Sequence, residues 1–111
     1  MGGNVRVGSG TVDNVLTGAT SVSSGNGVPK AAPKSTFQAV LTGTGALTAT
    51  VVIEGSNDGT NWVATALGTI SLSGNDAVSD GFANDAPWKY VRARVTAITG
   101  TSATVTVLMG R

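Results

Sequence analysis

Alternation is the feature that most restricts what this chain can fold into. In four stretches apolar side chains recur at every second position, which places them on one face of an extended strand. Phe37, Ala39 and Leu41 alternate with Thr36, Gln38 and Val40. Leu47, Ala49, Val51 and Ile53 alternate with Thr48, Thr50, Val52 and Glu54. Val91, Ala93, Val95 and Ala97 share one face, and Tyr90, Arg92, Arg94 and Thr96 share the other. Ala103, Val105, Val107 and Met109 alternate with Thr104, Thr106 and Leu108. No stretch repeats apolar residues at the three-and-four spacing of a helix. Glu, Lys, Gln and Leu are scarce while valine and threonine abound, and β-branched side chains lose rotamer freedom in helices but fit pleated surfaces.

Turn chemistry divides the pattern. Thr42-Gly43-Thr44-Gly45 and Thr99-Gly100-Thr101 read as hairpin turns between strands. Shorter strands are expected at Trp62–Thr65, Thr69–Leu72 and Val78–Phe82. Many short strands with regular turn signals predict an all-β, antiparallel β-sandwich or jelly roll.

The 111 residues suit one domain. Residues 1–35 are rich in Gly, Ser, Thr and Asn and read as a loop-rich N-terminal arm. Within it, short strands are expected at Val5–Val7 and near Thr11–Thr17, followed by a long loop from Thr20 to Lys34. Pro29 and Pro33 remove backbone donors there, which disfavours a central strand. Residues 36–111 hold both tryptophans, both phenylalanines and the single tyrosine, and so are the expected sandwich core.

Composition excludes much chemistry. Histidine and cysteine are absent, so no disulfide, Ser–His pair, cysteine nucleophile or imidazole or thiolate metal site can form. No metal or cofactor is expected. A net charge of +1 lacks the basic stripe that a nucleic-acid binder uses. No run approaches the roughly 18 apolar residues that span a bilayer. The start Met1-Gly2-Gly3-Asn4-Val5-Arg6 does not read as a secretory signal, and Arg6 stands where a myristoylation motif wants Ser or Thr.

With charged residues at 12%, outward strand positions fall to threonine, serine and asparagine. Such a surface has little of the charge that normally prevents edge-to-edge strand pairing. Val40, Val52 and Leu108 also fall on nominal outer faces. Two explanations stay open: sister subunits cover those faces, or one subunit covers both faces itself.

Two segments stand out. In Glu54-Gly55-Ser56-Asn57-Asp58-Gly59-Thr60-Asn61-Trp62, Asn57-Asp58-Gly59 suits a turn needing positive φ. As a ligand loop, Trp62 would stack on a sugar, with Asn57 and Asp58 beside it and Asp58 accepting hydroxyl bonds. As a structural element it would be a tight turn with a packed tryptophan, and this is the favoured interpretation. In Asp85-Ala86-Pro87-Trp88-Lys89-Tyr90-Val91-Arg92-Ala93-Arg94, the side chains of Trp88, Tyr90, Arg92 and Arg94 are expected on one side. That stripe would serve subunit or capsid contact, since Trp, Tyr and Arg are enriched in interface cores. The alternatives are stacking on bases or sugars, or internal pairing of an arginine with Asp80 or Asp85. The Asn-Asp pairs match no calcium-loop spacing and are assigned to turns. Glu54, the single glutamate, sits at a strand end beside Asp58, but nothing around them resembles a substrate cleft. An enzyme is not expected.

Two resemblances follow from these residues. The run Val52–Trp62 followed by Tyr90-Val91-Arg92-Ala93 resembles discoidin-type galactose-binding-like domains, although the chain is much shorter and no ligand residue carries over. Gly68-Thr69-Ile70-Ser71-Leu72-Ser73-Gly74, Val78-Ser79-Asp80-Gly81-Phe82 and Ala86–Arg92 resemble segments of small virion proteins of tailed bacteriophages. The second resemblance implies a capsid decoration (cement) or accessory subunit of the virion, assembled in the host cytoplasm. Its partners would be the major capsid protein and copies of itself, with a trimer as the expected order. The alternative is a carbohydrate-binding module on a tail or virion surface, with a glycan as ligand.

Overall fold

The computed structural model describes residues 12–30 and 32–110. The described residues are all-β: β1 (Val12–Ala19), β2 (Ser23–Ser24), β3 (Val28–Pro29), β4 (Ser35–Ser56), β5 (Gly68–Asn84) and β6 (Tyr90–Gly110). The expected strand at Val5–Val7 lies outside the described residues. All pairings are antiparallel, in the order β1-β6-β4-β5, with β2 and β3 pairing β6 farther along the edge that β1 uses.

The alternating stretches are all strands, but they are joined differently from the expectation. β4 runs through Thr42–Gly45 without a hairpin, pairing β5 and β6 on both sides of that point. Likewise β6 runs through Thr99–Thr101, and the two short strands expected at 69–72 and 78–82 are parts of one strand, β5. The sites expected to turn are bulges within long strands. Trp62–Thr65 is irregular chain, with only Val63 N–H donating back to the Gly55 carbonyl at 3.0 Å.

The bulges lie side by side. The β4–β5 register shifts between Thr42 and Ala46, and the β4–β6 register shifts between Thr42 and Thr48. Gly45 has φ of 73° and Gly100 of 127°, values glycine reaches without the steric penalty of a Cβ. Opposite Gly45, Asp76 has φ of 64°, and its Oδ1 accepts the Gly45 N–H at 2.8 Å. Each long strand therefore bends at one shared level.

The bend turns one sheet into two layers. Twenty-two straight residues of β4 would span about 70 Å at roughly 3.3 Å per residue, yet the molecule measures 37 × 37 × 18 Å. The two ends of β5 come face to face: a methyl group placed on Gly68 would lie 2.5 Å from Phe82 Cζ. On the opposite side, one placed on Gly25 would lie 2.8 Å from the Val15 carbonyl oxygen. One layer holds residues 35–42, 77–84, 103–110 and β1, and the other holds 46–56, 68–75, 90–99, β2 and β3.

Between the layers lies one core. Phe37, Ala39, Leu41, Val105, Val107 and Met109 come from the first layer, and Leu47, Val51, Ile53, Val91 and Val95 from the second. Phe37 and Phe82 sit opposite each other with ring centroids 5.4 Å apart. Residues 12–29 take part as well, since Val15 and Ala19 are buried and β1 to β3 hydrogen-bond to β6. Pro29 sits in a two-residue strand at the sheet edge, where its missing donor is harmless. On the outer faces, Val40, Val52 and Leu108 are half-buried.

Candidate interaction surface

The end of the second layer carries a dense polar cluster. Register places Glu54 opposite Arg92 and Val52 opposite Arg94. Positions 54, 92 and 94 alternate with Ile53, Val91, Ala93 and Val95, all fully buried, so the three charged side chains project from the outer face. Arg92 Nε donates to Glu54 Oε1 at 2.8 Å, and Arg94 Nη2 donates to Glu54 Oε2 at 3.2 Å. The Glu54 residue is 5% exposed, and its carboxylate is shared by two guanidinium groups. Burial pushes its pKa up, but hydrogen bonds and charge from Arg92 and Arg94 outweigh that and hold it below the ordinary glutamate value.

An aromatic lid covers one arginine. The Arg92 guanidinium carbon lies 4.7 Å from the Trp62 ring centroid, within cation–π range. The far edge of the same ring packs on Gly27, where a methyl group would lie 2.6 Å from Cζ2. Tyr90 packs beneath the turn, with its ring 3.6 Å from the position a Gly59 methyl would take. Trp62 thus clips the β4–β5 loop to the chain between β2 and β3.

Asp58 is spent on its own turn. Its Oδ1 accepts the backbone N–H groups of Thr60 at 2.9 Å and Asn61 at 2.8 Å, and the Ser56 hydroxyl at 2.9 Å. Oδ2 accepts Asn61 Nδ2 at 2.8 Å. These bonds, those from Asn61 foremost, hold its pKa well below the usual carboxylate range. The buried Ser56 Oγ also accepts the N–H groups of Asp58 and Gly59. Asn57 Oδ1 accepts Lys89 N–H at 3.2 Å, tying the turn to the start of β6.

The expected four-residue stripe is reduced to three. Tyr90, Arg92 and Arg94 share the outer face, but Trp88 precedes β6 and crosses to the other side. Its ring occupies the space above Gly55, where a methyl would lie 2.7 Å from Trp88 Cγ, and position 55 alternates inward with Ile53. There Trp88 closes the end of the sandwich and lines a shallow recess of ≈ 250 Å³ with Asn57, Ala86 and Pro87. The arginines pair with Glu54, not with Asp80 or Asp85. Proline at position 87 and the irregular chain before Tyr90 break the alternation that the sequence suggested.

Three participants lie outside the site residues expected from the sequence. Glu54 was considered beside Asp58, but its partners stand 38 and 40 residues away. Ser56, two residues before an aspartate, matches a hydroxyl-capped turn, and that signal was legible. Lys30 had none. Its ammonium donates to the carbonyls of Ala32 at 3.2 Å, Asn84 at 3.3 Å and Pro33. Burial lowers its pKa, partly offset by the charge of Asp85.

Comparison with known proteins adds a likeness of fold. No protein-family profile and no curated protein matches the sequence. Among solved structures, the chain is similar to the SPBc2 prophage-derived protein YomS, with a TM-score of 0.58 and 17% identity over 97% of this chain and 100% of that one. It is also similar to the PBSX exported protein XepA, with a TM-score of 0.54 and 17% identity, over 93% of this chain and 36% of that one. The bent two-layer architecture is thus shared with a prophage-derived protein along that protein's whole length.

Proposed function

We propose that the chain is a phage structural protein that acts through protein–protein contacts, as a decoration or cement subunit of the virion head. The observation that carries this reading is the state of the acids at the candidate site. Glu54 is neutralised by two arginines and Asp58 is consumed by its turn, so neither acts as a free base or nucleophile. The likeness to a prophage-derived fold over the full chain supports the phage setting.

The contact surface centres on Arg94. Arg92 is covered by Trp62 and Tyr90 lies under Gly59, whereas the Arg94 side chain is 41% exposed. Beside it, half-buried Val52 adds apolar surface. An arginine pre-positioned by a carboxylate and flanked by an aliphatic side chain suits an interface anchor. In this reading the chain is a homo-oligomer bound to the major capsid protein on virions assembled in the host cytoplasm, and it performs no reaction.

Against the glycan alternative, the Trp62 ring already carries Arg92 on one face and packs on Gly27 at its edge. The test is sedimentation of the purified chain with phage heads prepared without it. Saturable co-sedimentation at a fixed number of copies per head supports decoration. Recovery of the chain in the supernatant at every concentration contradicts it.

A further inference from the structure

The two halves of β5 differ as sheet edges. β5 ends the strand order, and among the described residues no strand pairs with it on the side away from β4. In its second half, Asp80 sits between Val78 and Phe82 and opposite the fully buried Ala39, at an inward-facing position. The exposed Asp80 carboxylate accepts the Gly81 N–H at 2.8 Å, and a strand added there would take this charge out of water, a burial one neutral hydrogen bond does not offset. Asp76 adds a second charge at the bend. The first half, Gly68-Thr69-Ile70-Ser71-Leu72-Ser73-Gly74, has no charge. Its inward residues Ile70 and Leu72 are 2% and 3% exposed, while Thr69, Ser71 and Ser73 are exposed on the outer face. One half of the strand is guarded against pairing and the other is open.

We propose that residues 69–73 of β5 pair antiparallel with the same segment of a second copy of this chain, about a two-fold axis at Ser71. An antiparallel edge is its own complement, because a two-fold axis brings each donor opposite an acceptor of the same strand. With Ser71 on the axis, Thr69 faces Ser73 of the second copy, so the cross-strand pairs on the outer face are hydroxyl pairs. Asp76 falls opposite Ala66 of the second copy, so no like charges meet within the paired segment. The union joins the two second layers into one continuous sheet and leaves the Arg94 surface of each copy on its outer face. The contact stands apart from capsid docking and does not depend on it.

A chain without cysteine makes the test direct. Opposed residues in an antiparallel pair have Cα atoms about 4.5–5.5 Å apart, inside the range a disulfide bridges. Mild oxidation of the full-length Ser71→Cys variant is expected to give a covalent dimer as the main product. Ser79→Cys, also exposed but in the guarded half, is expected to give less than about a tenth as much. Equal cross-linking of the two, more from Ser79→Cys, or none from Ser71→Cys overturns the proposal. Ser71→Lys, which brings two ammonium groups together at the axis, is expected to raise the dimer dissociation constant at least about tenfold in sedimentation equilibrium, with unchanged circular dichroism. An unchanged constant overturns it as well.

Discussion

The long strands β4 and β6 carry two irregular regions that are held in opposite ways. At the bend, glycines with positive φ let the backbone turn, and few side chains bond across it, Asp76 to Gly45 and Thr48 to Thr99. At the far end, Glu54, Arg92, Arg94, Trp62, Ser56 and Asp58 hold one another through side chains. The bend depends on what is missing from Cα, whereas the end depends on which groups meet. Substitutions at the bend should therefore act through steric strain and be blind to pH and salt. Substitutions at the far end should act through charge and respond to both.

The largest effect is expected at the bend. Gly100→Ala forces an alanine to φ of 127° and brings its methyl within 2.5 Å of a Leu47 methyl and 3.0 Å of the Ala46 carbonyl. Urea unfolding should show a loss of about 3 kcal/mol, from strain at a conformation alanine rarely adopts plus overpacking. Gly45→Ala shares positive φ, at 73°, but meets open space. Its loss should be about 1 kcal/mol, the penalty for a left-handed alanine. Equal losses for the two would remove the close packing of β6 on β4 from the account.

Next comes Glu54→Gln, which leaves two guanidinium groups around a neutral amide. Breaking a buried pair costs roughly 3–5 kcal/mol, but the arginine side chains are 25% and 41% exposed. Solvent screening brings the expected loss to about 2 kcal/mol, and added salt should shrink it. Arg92→Ala should cost more than Arg94→Ala, about 1.5 against about 0.5 kcal/mol, because Arg92 also packs on Trp62. A reversed order would show that Trp62 does not hold its place through Arg92.

The smallest effect is the acid response. Asp58 and Glu54 both have folded pKa values below their unfolded ones. Their contribution is fully present above the unfolded carboxylate range near about pH 4 and is lost as pH falls through the folded values. Urea midpoints should be flat near neutrality and fall below about pH 4, and Asp58→Asn should flatten that acid limb. The bend variants should keep the wild-type slope.

The same contrast explains what was legible in the sequence. Alternation is local, so the inward rows Phe37-Ala39-Leu41 and Val105-Val107-Met109 were readable, and with them the all-β sandwich. Thr42–Gly45 was readable as a site needing glycine, but a hairpin turn and a strand bulge ask for the same residues. The choice between them is made by β5 and β6, which pair on both sides of the bend. The turn at Asp58 was legible because its bonds span two or three residues. Glu54 with Arg92 and Arg94 was not, since register 38 residues apart brings them together. Trp88 was misplaced because alternation was extended past the true start of β6 at Tyr90.

That the protein works as a contact surface is tested most directly by titrating phage heads with the wild-type chain and with Arg94→Ala, whose fold should be nearly intact. The account predicts saturable binding by the wild-type chain and at least tenfold weaker binding by the variant, with thermal midpoints within a few degrees of each other. Indistinguishable affinities, or no binding by either, would contradict it.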